Sequence, residues 1–259
     1  MLNLLQEAFG AQILQAQFDV KSPIFYLSPI SRSEVPRRGG VPILFPQFAD
    51  HGAFAKHGFA RNLHWDCIKR FDDGAPKQRP DSHYCLELAP NVVSGWDHHA
   101  RLDFFTHISA NELVLTLKVS NLGLSSFSWT GGLHPYFYVD DVLKTGLLGL
   151  TGSTLIDRYD SQNTIDQNPS IILNERPCER LYQSNLPIRL ETQERSLKFS
   201  STGFSEWMIW NPGRVDSTDL PDLPRGDWRH FICVEPVNVT NPILIEPGKE
   251  FCGSLSITW

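Results

Sequence analysis

Apolar and polar residues alternate one by one in several stretches of this chain. The alternation is clearest over residues 101–108, 112–119 and 251–259, where an apolar residue recurs at nearly every second position. A period of two is typical of a β-strand with one buried face, and no stretch keeps a period of 3.6 residues over three turns. Such strands recur along most of the chain with turn residues between them. The pattern predicts an all-β fold, an antiparallel β-sandwich of many strands.

The segments between these strands predict few other elements. Leu2–Phe9 has the composition of a short helix, and we expect no strand before Ile13. Residues 72–80 are polar and contain Gly and Pro, which predicts a hairpin loop, and residues 216–227 predict a second exposed loop. We find no internal repeat and no long linker, so we expect a single domain over residues 1–259.

The composition is that of a globular protein. Hydrophobic residues make up 41% of the 259 positions, so the chain can bury a core without disulfide or metal crosslinks. The net charge of −6, without a long basic run, argues against nucleic-acid binding. No apolar run reaches the ~18 residues of a membrane span. The first residues lack a signal-peptide pattern and the five cysteines form no CxxC, which favours reduced thiols in a cytoplasmic protein.

Two ionisable residues stand inside apolar, strand-like segments. His134 follows a pair of glycines and precedes a proline, which holds the backbone at 134 extended. Glu235 follows the apolar run Phe231–Val234, and we place it at the end of that strand. A lone histidine in such a setting is usually a core residue, and a buried carboxylate is either paired or has a raised pKa. If both face one pocket, they form an acid and base pair, with the pKa of Glu235 raised and His134 charged beside it.

Two other segments offer cations. Arg38 precedes the pair Gly39–Gly40, and Arg61 closes the run His57–Arg61. A glycine pair lets the backbone approach a ligand closely, and an arginine can bind phosphate through two parallel hydrogen bonds. A solvated loop with a structural turn is an equally open interpretation of the segment around Arg38. No nucleotide phosphate loop is present, and the histidines in this region do not stand at zinc-ligand spacing, so we expect no metal site.

Five segments taken together resemble a known group of proteins. RRGGVPILFPQF (37–48), HGFARN (57–62), GGLHPYF (131–137), IWNP (209–212) and FICVEP (231–236) are similar to motifs of the aldose 1-epimerase (mutarotase) superfamily, in particular its hexose-6-phosphate branch. The resemblance extends from about residue 18 to residue 259. It implies a galactose-mutarotase-like β-supersandwich that interconverts the α and β anomers of a hexose 6-phosphate, with glucose 6-phosphate expected first and no metal or organic cofactor.

The resemblance also implies roles for individual residues. His134 aligns with the catalytic histidine of the family and Glu235 with its catalytic glutamate. Arg38 and Arg61 align with the arginines that hold the phosphate, and His57 lines the cleft. Further candidates for contacts with sugar hydroxyls are Gln47 and Asn211.

One position departs from the family pattern. Glu179 stands where the family usually has an aspartate, with Asp157 as a weaker alternative. The longer side chain shifts a carboxylate by roughly one C–C bond, which bears on substrate preference. Two other functions stay open, a mutarotase for unphosphorylated aldoses and a non-catalytic carbohydrate-binding protein on the same fold. We expect a monomer whose partner is a small sugar phosphate, and neither nucleic acid nor a membrane.

Overall fold

The computed structural model describes residues 2–18, 22–32, 35–70, 81–160 and 163–259. The hairpin loop predicted over residues 72–80 lies outside the described residues. Numbered along the chain, the strands are β1 (Asn3–Gln6), β2 (Ile13–Phe18), β3 (Ser22–Pro23), β4 (Ile43–Leu44), β5 (Asp66–Lys69), β6 (Ser82–Leu88), β7 (Ala100–Ile108), β8 (Glu112–Asn121), β9 (Phe127–Leu133), β10 (Tyr136–Tyr138), β11 (Gly146–Leu148), β12 (Thr154–Asp157), β13 (Thr164–Ile165), β14 (Ser170–Ile172), β15 (Cys178–Gln183), β16 (Ile188–Glu191), β17 (Ser196–Thr202), β18 (Glu206–Asn211), β19 (Phe231–Ile245) and β20 (Glu250–Thr258).

Two large sheets face each other across the core. The back sheet has the strand order β14-β11-β16-β17-β20-β8-β7-β6-β5. The second sheet, which we call the site sheet, has the order β13-β12-β15-β18-β19-β9-β4, and β10 also pairs with β19. A small third sheet has the order β1-β2-β3. Neighbouring strands are antiparallel, so the predicted all-β antiparallel sandwich is confirmed.

The strands predicted from alternation lie side by side in the back sheet. Residues 101–108 belong to β7, residues 112–119 to β8 and residues 251–258 to β20. On β8 every second residue is buried, and Leu113, Leu115 and Leu117 are fully buried. Each buried leucine stabilises the fold by about 1.5–3 kcal/mol relative to an exposed one. The period of two therefore arises because one face of this sheet covers the core.

Aromatic side chains join the two sheets. The ring centroids of Phe137, on β10, and Phe199, on β17, are 4.4 Å apart. Trp129, on β9, meets Phe251, on β20, edge to face at 5.3 Å. Ring pairs of this kind contribute about 0.5–1.5 kcal/mol beyond the area they bury. They fix how the site sheet sits on the back sheet.

The N-terminal segment differs from the prediction. Leu2–Phe9 is not helical, because residues 3–6 form β1 and pair antiparallel with β2. A strand therefore does precede Ile13, and the expectation of none was wrong. A helix of so few residues is unstable alone, whereas pairing with β2 satisfies the backbone and lets Leu4 pack against the core.

Helices are short in the described part of the chain. The α-helix α1 spans Gly213–Asp216, and 3-10 helices span Ala60–Asn62, Val142–Lys144, Ser217–Asp219 and Asp227–His230. The segment predicted as an exposed loop over residues 216–227 is thus partly helical, and Leu223 within it is buried in the core. Among the described residues, no helix has the length and apolar character that crossing a membrane requires.

Candidate functional site

A cavity of about 280 Å³ opens on the face of the site sheet that points away from the back sheet. On β18, Trp207 and Ile209 belong to the core, while Met208 and Trp210 line the cavity. Successive residues of a strand point to opposite faces, so this one strand serves both. Charged and titratable residues gather at the cavity wall: Arg38, Lys56, His57, Arg61, His134, Arg158, Glu179 and Glu235.

A glycine pair brings His134 to the cavity. Gly131 and Gly132 have φ angles of 137° and 153°, and a Cβ at either position would overlap a backbone oxygen of a neighbouring strand. Only glycine lets β9 approach both neighbours this closely. His134 lies two residues after Gly132, and its backbone N–H donates to the carbonyl of Pro42 at 2.9 Å. Its imidazole Nδ1 lies 3.4 Å from Oε1 of Glu235. The structure thus brings the predicted acid and base together.

Glu235 lies inside β19 and not at the end of a strand as predicted. The strand continues past Pro236 because Val237 still pairs with β18 on one side and β9 on the other. The Glu235 side chain is 1% exposed, and its Oε2 has no hydrogen-bond partner. Burial raises the pKa of Glu235 well above its usual range, and the charge of Glu179 raises it further. The carboxyl group therefore holds its proton more tightly than an exposed glutamate does.

His134 is held between aromatic rings. Its imidazole stacks on Tyr136 with centroids 4.8 Å apart and meets Trp210 edge to face. Burial lowers the pKa of His134 well below its usual value, and His57, Arg61 and Arg38 lower it further by their charge. The expectation that His134 is charged in the free protein is therefore wrong. Burial therefore favours the neutral form of both partners, the unprotonated imidazole of His134 and the protonated carboxyl group of Glu235.

His57 is fixed in one tautomer. Its backbone has a φ of 65°, and its Nδ1 accepts the backbone N–H of Ala49 at 3.2 Å. Burial, followed by the charge of Arg61, lowers the pKa of His57 to about 3, so the ring is neutral near pH 7. With Nδ1 as acceptor, the ring proton must sit on Nε2. Its ring centroid lies 5.5 Å from that of His134, and both residues line the cavity.

Both predicted phosphate-binding arginines line the cavity. Arg38 Nε donates to Oδ1 of Asp222 at 3.0 Å, and its Nη1 donates to the hydroxyl of Tyr136 at 3.4 Å. Arg61 lies on a 3-10 helix and donates from Nη2 to the carbonyl of Lys56. Its Nε is buried without a hydrogen-bond partner. A buried N–H of a cation that lacks an acceptor fits an anionic ligand, because leaving it unpaired is costly.

Glu179 also lines the cavity, on β15. Its carboxylate is held by Arg158, with 2.7 Å between Oε2 and Nη1. Asp157, the weaker alternative, is not among the cavity residues and instead forms an ion pair with Arg180 at 2.8 Å. The sequence analysis missed both Arg158 and Asp222.

Two predicted hydroxyl partners lie elsewhere. Gln47 folds back on its own loop, where Nε2 donates to the carbonyls of Ala49 and Phe54 and Oε1 accepts the Phe54 N–H. Asn211 donates to the carbonyls of Trp228 and Phe231 and accepts the N–H of Gly213. Neither is among the cavity residues, because each amide is already used to hold a turn. The structure therefore does not bring them to the site.

Replacing Asn211 by alanine is expected to lower the free energy of unfolding by about 3 kcal/mol, because three buried backbone groups lose their partner. Urea denaturation followed by tryptophan fluorescence measures this. Asn241, an exposed asparagine, is the matched control, and its alanine variant should change the stability by less than about 0.5 kcal/mol. Equal stability of the two variants would contradict this structural role.

A metal ion has one candidate position among the described residues. Ligand atoms of His134, Cys233 and Glu235 lie within 4.8 Å of one another. Burial raises the pKa of Cys233 well above its usual value, and Glu235 raises it further, so the sulfur holds its proton. A protonated thiol and a protonated carboxyl are poor ligands for a cation. All five cysteines are free thiols.

Solved structures share this fold. The crystal structure of YeaD from Salmonella typhimurium matches with a TM-score of 0.85 at 23% identity, over 99% of this chain and 86% of YeaD. A galactose mutarotase-like protein from Lactobacillus casei matches with a TM-score of 0.73 at 14% identity, over 99% of this chain and 96% of that protein. The predicted galactose-mutarotase-like fold is confirmed.

Two curated relatives, from Cenchrus ciliaris and Salmonella typhimurium strain LT2, are both named "Putative glucose-6-phosphate 1-epimerase". The first is 25% identical over 265 residues, 96% of this chain and 79% of the relative. The second is 26% identical over 247 residues, 90% of this chain and 79% of the relative. The aldose 1-epimerase family matches residues 8–258. This chain therefore belongs to the aldose 1-epimerase family.

Proposed function

We propose that this protein interconverts the α and β anomers of hexose 6-phosphates, with glucose 6-phosphate as the first candidate. One observation carries the proposal: the acid and base candidates His134 and Glu235 are 3.4 Å apart in a cavity that Arg38 and Arg61 also line. A proton-transferring pair suits ring opening at C1, and the cations suit a phosphate on the same sugar. The names of the two curated relatives support the same substrate.

Ring opening in this proposal moves two protons. Glu235 takes the proton of the C1 hydroxyl while His134 gives a proton to the ring oxygen, and the bond from C1 to the ring oxygen breaks. The C1 aldehyde then turns about the C1–C2 bond and presents its other face. The roles reverse on closure, as His134 takes the proton back from the hydroxyl that attacks C1 and Glu235 returns a proton to the C1 oxygen. The reaction leaves both groups as they began.

The substrate phosphate helps to place the proton for this reaction. Burial in the free protein favours the proton on Glu235, whereas the proposed first step needs it on His134. Arg38 and Arg61 contribute to the low pKa of His134. A phosphate between these arginines carries about −1.5 to −2 charges and offsets them. Binding of the phosphorylated sugar therefore favours proton transfer from Glu235 to His134, which an unphosphorylated sugar does not.

The proposal is tested by NMR exchange spectroscopy between the anomers of glucose 6-phosphate, with glucose as the comparison. We expect kcat/KM to be about 10- to 100-fold higher for the phosphorylated sugar, since a charge-assisted hydrogen bond contributes about 1.5–3 kcal/mol. Equal rates would favour a mutarotase for unphosphorylated aldoses. Binding without accelerated exchange would favour a carbohydrate-binding protein.

The pH dependence follows from the shared proton. The active form holds one proton on the pair, so activity falls as pH drops through the lowered pKa of His134, where a second proton binds. It also falls as pH rises through the raised pKa of Glu235, where the pair loses its proton. We expect kcat/KM for glucose 6-phosphate to have a broad maximum around neutral pH, with limits that belong to the pair. A loss of activity as pH rises through about 4.5, the ordinary pKa of a glutamate, would contradict the raised pKa of Glu235.

A further inference from the structure

An ion pair at the cavity wall has no part in the mechanism above. Arg158 follows the last residue of β12, and its Nη1 lies 2.7 Å from Oε2 of Glu179. Its backbone N–H also donates to the carbonyl of Glu179 at 3.0 Å. Arg158 is thus tied to the same residue twice. Both side chains line the cavity, although that of Arg158 is 60% exposed and that of Glu179 only 21%.

Strand register places Glu179 on the same sheet face as Glu235. Glu179, on β15, is opposite Trp210 of β18, and Glu235, on β19, is opposite Met208 of the same strand. The two carboxyl groups therefore stand on strands separated only by β18. Both face the cavity. Two like charges in this arrangement repel each other unless one is offset.

We propose that Arg158 is a positioning residue of the site, which holds the Glu179 carboxylate in place and offsets its charge so that Glu235 can ionise during the reaction. This inference rests on the proposed function only for its catalytic consequence. The ion pair between Arg158 and Glu179, and the sheet face that Glu179 shares with Glu235, do not depend on which reaction the protein catalyses. Glu235 is the base in the proposed first step, so any group that changes its proton affinity changes the reaction.

Other charged groups around Glu235 and Glu179 cannot replace Arg158, because they are paired elsewhere or act on the whole cavity rather than on Glu179. Glu235 is surrounded by His134 and Tyr136, with Cys233 two residues before it on its own strand. His57, Arg38 and Arg61 also line the cavity.

On the side of Arg158, its neighbour Tyr159 donates to Asp216 at 3.1 Å, and Asp157 binds Arg180 at 2.8 Å. Among the described residues, Glu179 forms its ion pair with Arg158. The charge of Glu179 is therefore offset chiefly by this one cation.

The direction of the effect follows from charge. Burial raises the pKa of Glu235 first, and the negative charge of Glu179 raises it further. Arg158 carries the opposite charge next to Glu179 and so opposes that second contribution. Removing Arg158 should raise the pKa of Glu235, and removing the Glu179 charge should lower it. The shift from Arg158 is reduced by solvent, because its side chain is largely exposed.

The test measures the titration of Glu235 directly by carboxyl ¹³C NMR, with the resonance assigned by loss of the signal in Glu235→Gln. In Arg158→Gln we expect the midpoint to rise by about 0.5 to 1 pH unit, and the alkaline decline of kcat/KM to move with it. Arg158→Lys should restore most of the original midpoint. Arg189→Gln is the matched control, because Arg189 forms an exposed ion pair with Glu191 on the back sheet and should leave the midpoint unchanged.

A double variant separates action through Glu179 from direct action of Arg158. In a Glu179→Gln background, Arg158→Gln should have almost no further effect on the midpoint, since no carboxylate is left to offset. An undiminished shift in that background, or no shift in the single variant, would overturn the proposal. If the NMR midpoint moves but no variant and no wild-type protein accelerates anomer exchange, the proposed function fails while this inference stands.

Discussion

Replacing Glu235 by glutamine is expected to lower kcat for anomer exchange of glucose 6-phosphate by about 10²–10⁴-fold, the usual contribution of a general base. Glutamine keeps the shape of the side chain but cannot take the proton of the C1 hydroxyl. The residue is 1% exposed and lies in the middle of β19, so an isosteric change disturbs packing little. The measurement is NMR exchange at saturating substrate, with circular dichroism to confirm the fold.

His134→Ala should give a loss of similar size, because ring opening needs both proton transfers. The double variant should lose little more than either single variant, since the two groups act as a unit. KM should change less than kcat in both single variants. If Glu235→Gln and His134→Ala keep full activity, the proposed mechanism is wrong.

Removing Arg38 or Arg61, the proposed phosphate-binding arginines, is expected to lower kcat/KM for glucose 6-phosphate by about 10- to 100-fold per residue, since each variant loses a charge-assisted contact of about 1.5–3 kcal/mol. Most of the loss should appear in KM. For glucose, which has no phosphate, Arg61→Ala should not lower kcat/KM, because no phosphate contact is lost and the pKa of His134 rises when this cation is removed. Arg61→Ala is the cleaner variant, because Arg38→Ala also leaves Asp222 without its partner.

The chain supplies a matched control for these variants. Arg37 is adjacent to Arg38 but pairs with Glu7 at 3.2 Å and is not among the cavity residues. Arg37→Ala should therefore leave both substrates unaffected, apart from a small loss of stability. If Arg38→Ala and Arg61→Ala leave KM for glucose 6-phosphate unchanged, the phosphate assignment is wrong.

The sequence predicted strands where one face of the strand is buried and the other is exposed to solvent. β7, β8 and β20 could be predicted because their alternation is regular. His134 and Glu235 could be singled out because each ionisable group interrupts an apolar segment. Their distance could not be predicted from spacing, since it depends on how β9 and β10 pair with β19.

The directions of individual side chains were not predicted correctly from the sequence. On β18 almost every residue is buried on both faces, so alternation does not show that Trp210 faces the cavity while Asn211 holds a turn. Gln47 failed for a similar reason, because its amide satisfies its own loop. Arg158 and Asp222 were missed because an ion pair forms between residues far apart in sequence, which no local pattern records.

The pairing of β9 with β19 determines when activity should appear during folding. The long segment between His134 and Glu235 forms much of both large sheets, so we expect the two residues to meet only after it has folded. Closing so long a loop has an entropic cost that must be met before the contact forms, so such pairings arise late in folding. Catalytic activity should therefore report completion of the tertiary structure. It should return more slowly on refolding than the circular-dichroism signal of the strands.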